Sequence, residues 1–139
     1  MARTLSDEAR RILGLFEDVT GATGLDCLVY EDRVVVLVAR GDMGEAIGPG
    51  GSHVGDFEER LGDDVKLVED AESPADFVAN ALSPAAVYNV TISENGDTVA
   101  YVEVDEADTG VAIGADGRNI EAARELARRH VDVDDIELT

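Results

Sequence analysis

The sequence predicts an α/β (α+β) protein made of two copies of one small unit. Two observations lead to this prediction: a segment of the chain recurs further along it, and each half has the patterns of helix, strand, strand, helix, turn, helix and strand in that order. The 139 residues are enough for one medium domain or two small ones. A hydrophobic fraction of 45% is sufficient for a buried core, so wholesale disorder is not expected.

The recurrence is clearest at the glycines, where Gly48 falls on Gly114 at an offset of 66 residues (114 − 48 = 66). Two copies in so short a chain indicate two domains rather than a solenoid. We place the boundary at residues 70–73, which gives domains of residues 1–71 and 72–139. The remaining matches at this offset are Gly44 with Gly110, Ala46 with Ala112, Ile47 with Ile113, Gly51 with Gly117, and Val65 with Val131.

The first half opens with a predicted helix over residues 5–20, in which apolar residues recur at helical spacing. Ser6 or Asp7 can cap its start, and Gly21 can end it. The segments that follow are two strands rich in Val and Leu around a polar turn, a short helix, a glycine turn, a helix and a closing strand. Their predicted bounds are 25–30 and 33–39 for the strand pair, a short helix ending near Gly48, 52–61 for the next helix and 65–69 for the last strand.

The second half begins at Ser73-Pro74, which predicts a helix start because Ser is a preferred N-cap and Pro is favoured at the first helical position. The strand pair that follows is joined by a turn with the Asn95-Gly96 hairpin signal. The predicted bounds are 74–82 for the first helix, 86–93 and 98–104 for the strands, 118–129 for the last helix and 134–138 for the last strand, with a short helix and a glycine turn before residue 118.

Each half carries the pattern I-G-x-x-G immediately before a predicted helix, at residues 47–51 and 113–117. Glycines let the backbone bend sharply and leave no side chain between the peptide groups and a ligand. We expect the first N–H groups of the following helix to be free and to lie at the positive end of its dipole. That arrangement suits phosphate, and two such turns suit a chain of phosphates better than one nucleotide. Neither turn has the Lys of a Walker loop or the spacing of a dinucleotide fingerprint.

The chain has 31 acidic and 11 basic residues, a net charge of −20, and Lys66 is its one lysine. The acid is spread along the whole sequence, which is typical of proteins from salt-loving organisms and says little about partners. There is no run of 18 apolar residues and no secretory leader pattern, so a cytoplasmic protein without a membrane partner is expected. Cys27 alone can neither form an internal disulfide nor hold zinc.

No arrangement of residues in the sequence indicates catalysis, a metal or a cofactor, so we expect a protein that is not an enzyme. A last cluster of charge lies on the predicted helix 118–129, where Arg124, Arg128 and Arg129 are spaced for ion pairs with Glu121 and Glu125. Two interpretations of these arginines stay open: ion pairs on a solvated helix, or a stripe that faces nucleic acid.

With these motifs the chain resembles a known family. Two tandem units with I-G-x-x-G between helices resemble KH domains of the prokaryotic type (type II), and the segment VAIGADGRNIEAARELA is very similar to the second KH domain of NusA-like transcription factors. The whole chain resembles the short archaeal members of that family. The resemblance implies two type II KH domains, each a small three-stranded mixed sheet packed on three helices. It also implies binding of single-stranded RNA and a role in transcription termination or antitermination.

In KH domains the G-x-x-G loop clamps the backbone of about four nucleotides beside a groove that reads the bases. Ile47 and Ile113 are expected to support the loops and help floor that groove. Family loops often carry Lys or Arg at the two middle positions, but here Asp116 would repel phosphate. The RNA-binding residues that the resemblance implies are Ile47, Gly48, Pro49, Gly50, Gly51, Ser52, His53, Ile113, Gly114, Ala115, Asp116, Gly117, Arg118 and Asn119.

Other functions and partners remain open at the level of the sequence. One alternative is a KH protein of ribosome assembly or translation. The other is a protein-interaction adaptor with degenerate KH domains, which Asp116 and the uncharged first loop favour. RNA polymerase and transcription factors are candidate partners, although the region with which bacterial relatives contact polymerase has no match in this sequence.

Overall fold

A computed structural model describes residues 5–139, and the chain divides into two compact units, the first ending at Asp70 and the second beginning at Ala71. Over the described residues each unit has three helices and one three-stranded mixed sheet. The predicted fold class is therefore confirmed.

In the first unit the central strand pairs antiparallel with the strand before it and parallel with the strand after it. The first helix begins after Ser6, whose hydroxyl accepts a hydrogen bond from the Ala9 amide at 3.1 Å, and it ends at Gly21 in the left-handed conformation. The elements are α1 (Asp7–Thr20), β1 (Gly24–Val29), β2 (Arg33–Val38), α2 (Met43–Ile47), α3 (Ser52–Leu61) and β3 (Asp64–Glu69).

The second unit repeats this order and the same mixed sheet, with its middle strand again central. Ser73 caps the first helix by accepting a hydrogen bond from the Asp76 amide at 3.0 Å, and Pro74 is the first helical residue. The elements are α4 (Pro74–Ala81), β4 (Val87–Ser93), β5 (Val99–Val104), α5 (Thr109–Ile113), α6 (Arg118–His130) and β6 (Asp135–Leu138).

The core of the first unit lies between its helices and one face of its sheet. Val34, Val36 and Val38 of β2 are fully buried in one cluster with Phe16 of α1 and Phe57 of α3. The two phenylalanine rings meet edge to face at 5.3 Å. Burying one such side chain stabilises the fold by about 1.5–3 kcal/mol. This packing fixes where α3 begins, and hence where the first glycine loop lies.

The core of the second unit has the same plan with different residues. Phe77 of α4, Leu126 of α6 and Ile136 of β6 are fully buried. The ring of His130, at the end of α6, lies 5.9 Å from that of Phe77. As in the first unit, the helix that follows the glycine loop is anchored by large apolar side chains along its length.

The two units share even an irregularity of their sheets. A bulge interrupts the first ladder between Gly24 and Asp26, and a bulge interrupts the second at the corresponding place, between Val87 and Asn89. The structural repeat is therefore closer than the sequence repeat shows.

The proposed match of Val65 with Val131 is wrong. Val65 lies in β3, but Val131 lies just past the end of α6. The helix after the second loop has 13 residues and its counterpart has 10, so the offset grows beyond 66 residues after the loop.

In residues 5–139, no helix combines the length and the apolar composition needed to cross a membrane. Over the same range, His, Cys, Asp and Glu side chains nowhere form a group of three that could hold a metal ion.

Candidate nucleic-acid interface

The two glycine loops are residues 48–51 (the first loop) and 114–117 (the second loop), and both have the same backbone conformation. Gly48 has φ 74° and ψ 170°, and Gly114 has φ 80° and ψ 167°. A residue with a side chain is almost never found in this region, so glycine is required at both positions. The extended ψ ends the preceding helix and turns the chain outward.

The third and fourth loop positions are left-handed in both units. Gly50 has φ 60° and Asp116 has φ 56°, while Gly51 and Gly117 have φ 79° and 76°. Aspartate tolerates the left-handed region better than most residues. Asp116 therefore occupies the conformation of Gly50 without changing the loop.

Part of the predicted set of free amides is already used. The Gly51 amide donates to the Gly48 carbonyl at 3.1 Å, and the Ser52 amide donates to the Pro49 carbonyl. The expectation that the first amides of the following helix are free is wrong here, because a 3₁₀ turn closes them onto the loop's own carbonyls. The second loop makes the same two bonds, from Gly117 to Gly114 at 3.0 Å and from Arg118 to Ala115.

The other loop amides have no helical carbonyl to reach. The extended ψ of the first glycine interrupts the helical ladder, so the amides that follow it lie too far from the carbonyls of the preceding helix. Pro49 has no N–H, which leaves Gly50 in the first loop and Ala115 and Asp116 in the second. All four of these residues are exposed to solvent. Each loop therefore presents at least one amide hydrogen on the outside of its bend.

One side chain ties together the two helices that flank each loop. The Nδ1 atom of His53 lies 2.7 Å from the Glu45 carbonyl, which can only accept, so Nδ1 carries the proton and donates. In the second unit the Nδ2 amide of Asn119 donates to the carbonyls of Val111 (3.3 Å) and Ala112 (3.2 Å). His53 and Asn119 were predicted to contact RNA, and the structure gives both an intramolecular hydrogen bond.

Sequence reasoning missed a second repeated contact, which fixes the start of the helix before each loop. The Oδ2 atom of Asp42 accepts the Thr23 amide at 2.9 Å, and the Oδ2 atom of Asp108 accepts the Ala86 amide at 2.8 Å. Both amides belong to the residue before the first strand or close to it. Asp42 and Asp108 are 66 residues apart, so the sequence repeat did carry a signal for them.

The second unit strengthens this region with a tyrosine. The Tyr88 hydroxyl donates to the Asp105 carboxylate at 2.7 Å. This hydrogen bond raises the pKa of Tyr88 and lowers the pKa of Asp105, and the Ala107 amide lowers the latter further. Both side chains are at the surface, so the shifts act as markers of the contact rather than as large contributions to stability.

The apolar residues beside the loops are exposed. Ile47 and Ile113, which precede the loops, are 41% and 38% exposed, and Val111 on the same short helix is 46% exposed. Their exposure suits a groove floor better than a buried support under the loop. The second unit therefore has two exposed aliphatic side chains at a place where the first has Ile47 and the charged Glu45.

The arginines of α6 are engaged in ion pairs. Arg124 contacts Glu121 and Asp135, both at 2.8 Å, and Arg128 and Arg129 contact Glu125 at 3.2 and 3.0 Å. The structure thus favours the interpretation of helix ion pairs over a free cationic stripe. Arg118, the first residue of α6, is the cation nearest to the second loop in sequence.

Comparisons with known proteins identify relatives of the whole chain. The model of the NusA-like second KH domain matches residues 74–139. The chain is 64% identical over 138 residues to the probable transcription termination protein NusA of Halococcus morrhuae, covering 99% of both chains. It is 63% identical to the protein of that name from Halobacterium salinarum, covering 100% of both. The crystal structure of APE1850 is similar with a TM-score of 0.81 and 30% identity, covering 97% of this chain and 100% of the other.

Proposed function

This chain belongs to the NusA family of KH-domain proteins, and we propose that it binds single-stranded RNA at its two glycine loops. The observation that carries the proposal is the repeated loop conformation, which exposes the amides of Gly50, Ala115 and Asp116. Outward amides at a sharp bend can bind the oxygens of successive phosphates without any basic side chain.

The proposal extends from the phosphates to the bases. Ile47 in the first unit, and Val111 and Ile113 in the second, are exposed next to the loops. Single-stranded nucleic acid has unstacked bases whose apolar faces can lie on such side chains, whereas the bases of a duplex are stacked inside it. Single-stranded RNA therefore fits these surfaces better than duplex DNA does.

We further propose that the RNA-binding step serves transcription termination or antitermination. The names of the relatives support this role, since those from two haloarchaea are called probable transcription termination proteins. A role in ribosome assembly or translation is the alternative within the RNA-binding class. Sequencing of RNA crosslinked to the protein in cells separates the two: the transcription role requires nascent transcripts, and recovery of ribosomal RNA alone would contradict it.

The binding proposal is tested by placing a carboxylate beside the free amides of both loops. Anisotropy titrations of a labelled single-stranded RNA of mixed sequence compare the natural chain with the double variant Gly50→Asp, Ala115→Asp. We expect the variant to bind at least roughly tenfold more weakly, because each new charge repels a phosphate at close range. The control is Gly14→Asp with Asn95→Asp, which adds the same charge on α1 and in the turn between β4 and β5.

Equal affinity of the double variant and its control would refute loop binding. The same variant also addresses the adaptor hypothesis, which Asp116 favours. An adaptor keeps its protein partner when the loops become acidic, whereas an RNA-dependent complex is lost from the double variant and kept by the control.

The dependence of binding on salt gives an independent check. Basic RNA-binding proteins lose affinity steeply as salt rises, because they release counterions from the phosphates. A chain of net charge −20 that binds through amides and apolar contacts releases few. We therefore expect a shallow slope of log K against log salt up to molar concentration. A loss of several orders of magnitude with the fold intact would contradict the mechanism.

A further inference from the structure

We propose that His53 and Asn119 are positioning residues that set the shape of the two glycine loops, and that neither acts on RNA as a direct ligand. This inference rests on the proposed function, because the loops it concerns are the proposed RNA sites. The two residues are 66 positions apart in the repeat. Each links the helix after its loop to the last turn of the helix before it.

The contact meets a need that the loop itself creates. A helix ends with carbonyl groups that have no partner within it. Of the amides after α2, that of Gly48 bonds back to the Gly44 carbonyl, and the extended ψ of Gly48 carries the following amides away. His53 supplies a donor to the Glu45 carbonyl in their place.

The second unit solves the same problem with a different side chain. The Gly114 amide bonds back to the Gly110 carbonyl, and Asn119 donates to the next two carbonyls, those of Val111 and Ala112. An imidazole and a carboxamide share little except a donor N–H at similar reach. Their common feature is the bond to the Glu45 carbonyl in one unit and to the equivalent Val111 carbonyl in the other.

The first glycine of each loop is part of the same device. A Cβ atom at Gly48 would lie 2.5 Å from the Cγ atom of His53, and one at Gly114 would lie 2.8 Å from the backbone nitrogen of Asn119. The chain after the loop thus passes directly over the first glycine. These positions require glycine because of packing inside the protein, whatever approaches from outside.

The inference predicts that the two side chains are interchangeable. We expect His53→Asn and Asn119→His to keep RNA affinity within about twofold, since each variant takes the donor used in the other unit. His53→Ala and Asn119→Ala are expected to weaken binding roughly fivefold to tenfold, the usual effect of one lost hydrogen bond and a loosened site. Anisotropy titrations at pH 8 measure all four variants beside the natural chain.

A second measurement separates this inference from the proposed function. Amide hydrogen exchange at Gly51 and Gly117 in the absence of RNA reports loop order directly. We expect faster exchange in the two alanine variants and natural rates in the two exchanged variants. If the natural chain binds no RNA but the exchange rates follow this pattern, the proposed function fails and the positioning role stands.

Two results would overturn the inference. In one, His53→Asn loses as much affinity as His53→Ala while its exchange rates stay natural, which makes the imidazole a direct RNA contact. In the other, the alanine variants match the natural chain in both affinity and exchange, which leaves the loops independent of these side chains.

Discussion

The first and second loops differ in side chains but hardly at all in backbone. One has Pro49-Gly50 and the other Ala115-Asp116, yet their φ angles agree to within a few degrees at each left-handed position. The contacts that hold them are also repeated, through Asp42 and Asp108 on one side. The comparison teaches that the frame around a loop determines its shape, and that the middle residues determine only its chemistry.

The largest expected difference between the units comes from filling the space over the first glycine. Gly114→Ala places a Cβ against the Asn119 backbone, which cannot rotate away, while Gly48→Ala meets the His53 side chain, which can. We expect a loss of about 3–5 kcal/mol for Gly114→Ala and about 2–3 kcal/mol for Gly48→Ala, measured by urea unfolding in high salt.

Gly44→Ala and Gly110→Ala are the matched controls for this pair. Both glycines lie in the short helices before the loops, have ordinary φ angles and have open space where the Cβ would go. They are expected to be neutral or to stabilise by up to about 1 kcal/mol. Equal losses at Gly48 and Gly114 would mean that backbone strain alone, and not the neighbouring residue, determines the cost.

The next effect concerns a position where the two sheets differ. Lys66 pairs with Val35 in the first sheet, whereas the corresponding Glu137 pairs with Tyr101 and is exposed. Burial, together with the charge of Arg33, lowers the pKa of Lys66 to about 8. The unfolded chain therefore binds the proton more tightly than the folded one, and the stability due to this group rises with pH between about 8 and 10.5.

Lys66→Met removes this cost. We expect the variant to be more stable than the natural chain by about 1–3 kcal/mol at pH 7, with the difference fading as the pH passes from 8 to 10.5. Urea unfolding at a series of pH values measures it. The exposed Arg10→Met serves as a control and should show no such pH dependence. A constant difference at every pH would show that Lys66 acts through packing and not through its charge.

A smaller and equal effect is expected from the two aspartates that brace the loops. Asp42→Ala and Asp108→Ala each remove one hydrogen bond to a backbone amide, of 2.9 and 2.8 Å. We expect each to cost about 1 kcal/mol in thermal or urea unfolding, with less loss for the Asn variants, which keep an acceptor oxygen. Losses that differ by more than about 1 kcal/mol would break the equivalence of the two units.

The smallest effect tests the chemistry of the loops alone. Gly50→Asp and Asp116→Gly exchange residues that have the same backbone conformation, so stability should hardly change. We expect Gly50→Asp to weaken RNA binding about threefold and Asp116→Gly to strengthen it about threefold, because one phosphate-facing charge is gained or lost. Anisotropy titrations against Gly14→Asp measure the difference. Opposite signs would indicate that Asp116 accepts a hydrogen bond from RNA.

Much of this arrangement could be predicted from the sequence because it depends on local signals. Capping residues and apolar spacing predicted the bounds of α3 without error and most others within one or two residues. The contacts of His53 and Asn119 could not be predicted, because they join residues seven or eight positions apart across a loop whose conformation is unusual. The Val65 mismatch arose because an offset carries no information on helix length.

The crowding at the first glycine also indicates where these loops can be redesigned. A Cβ at Gly50 would meet nothing within 4 Å, and Asp116 already carries a side chain at the same point. A randomised library at residues 49, 50, 115 and 116 would therefore sample new ligand preferences on an unaltered scaffold. The glycines at 48 and 114 should be left out of any such diversification.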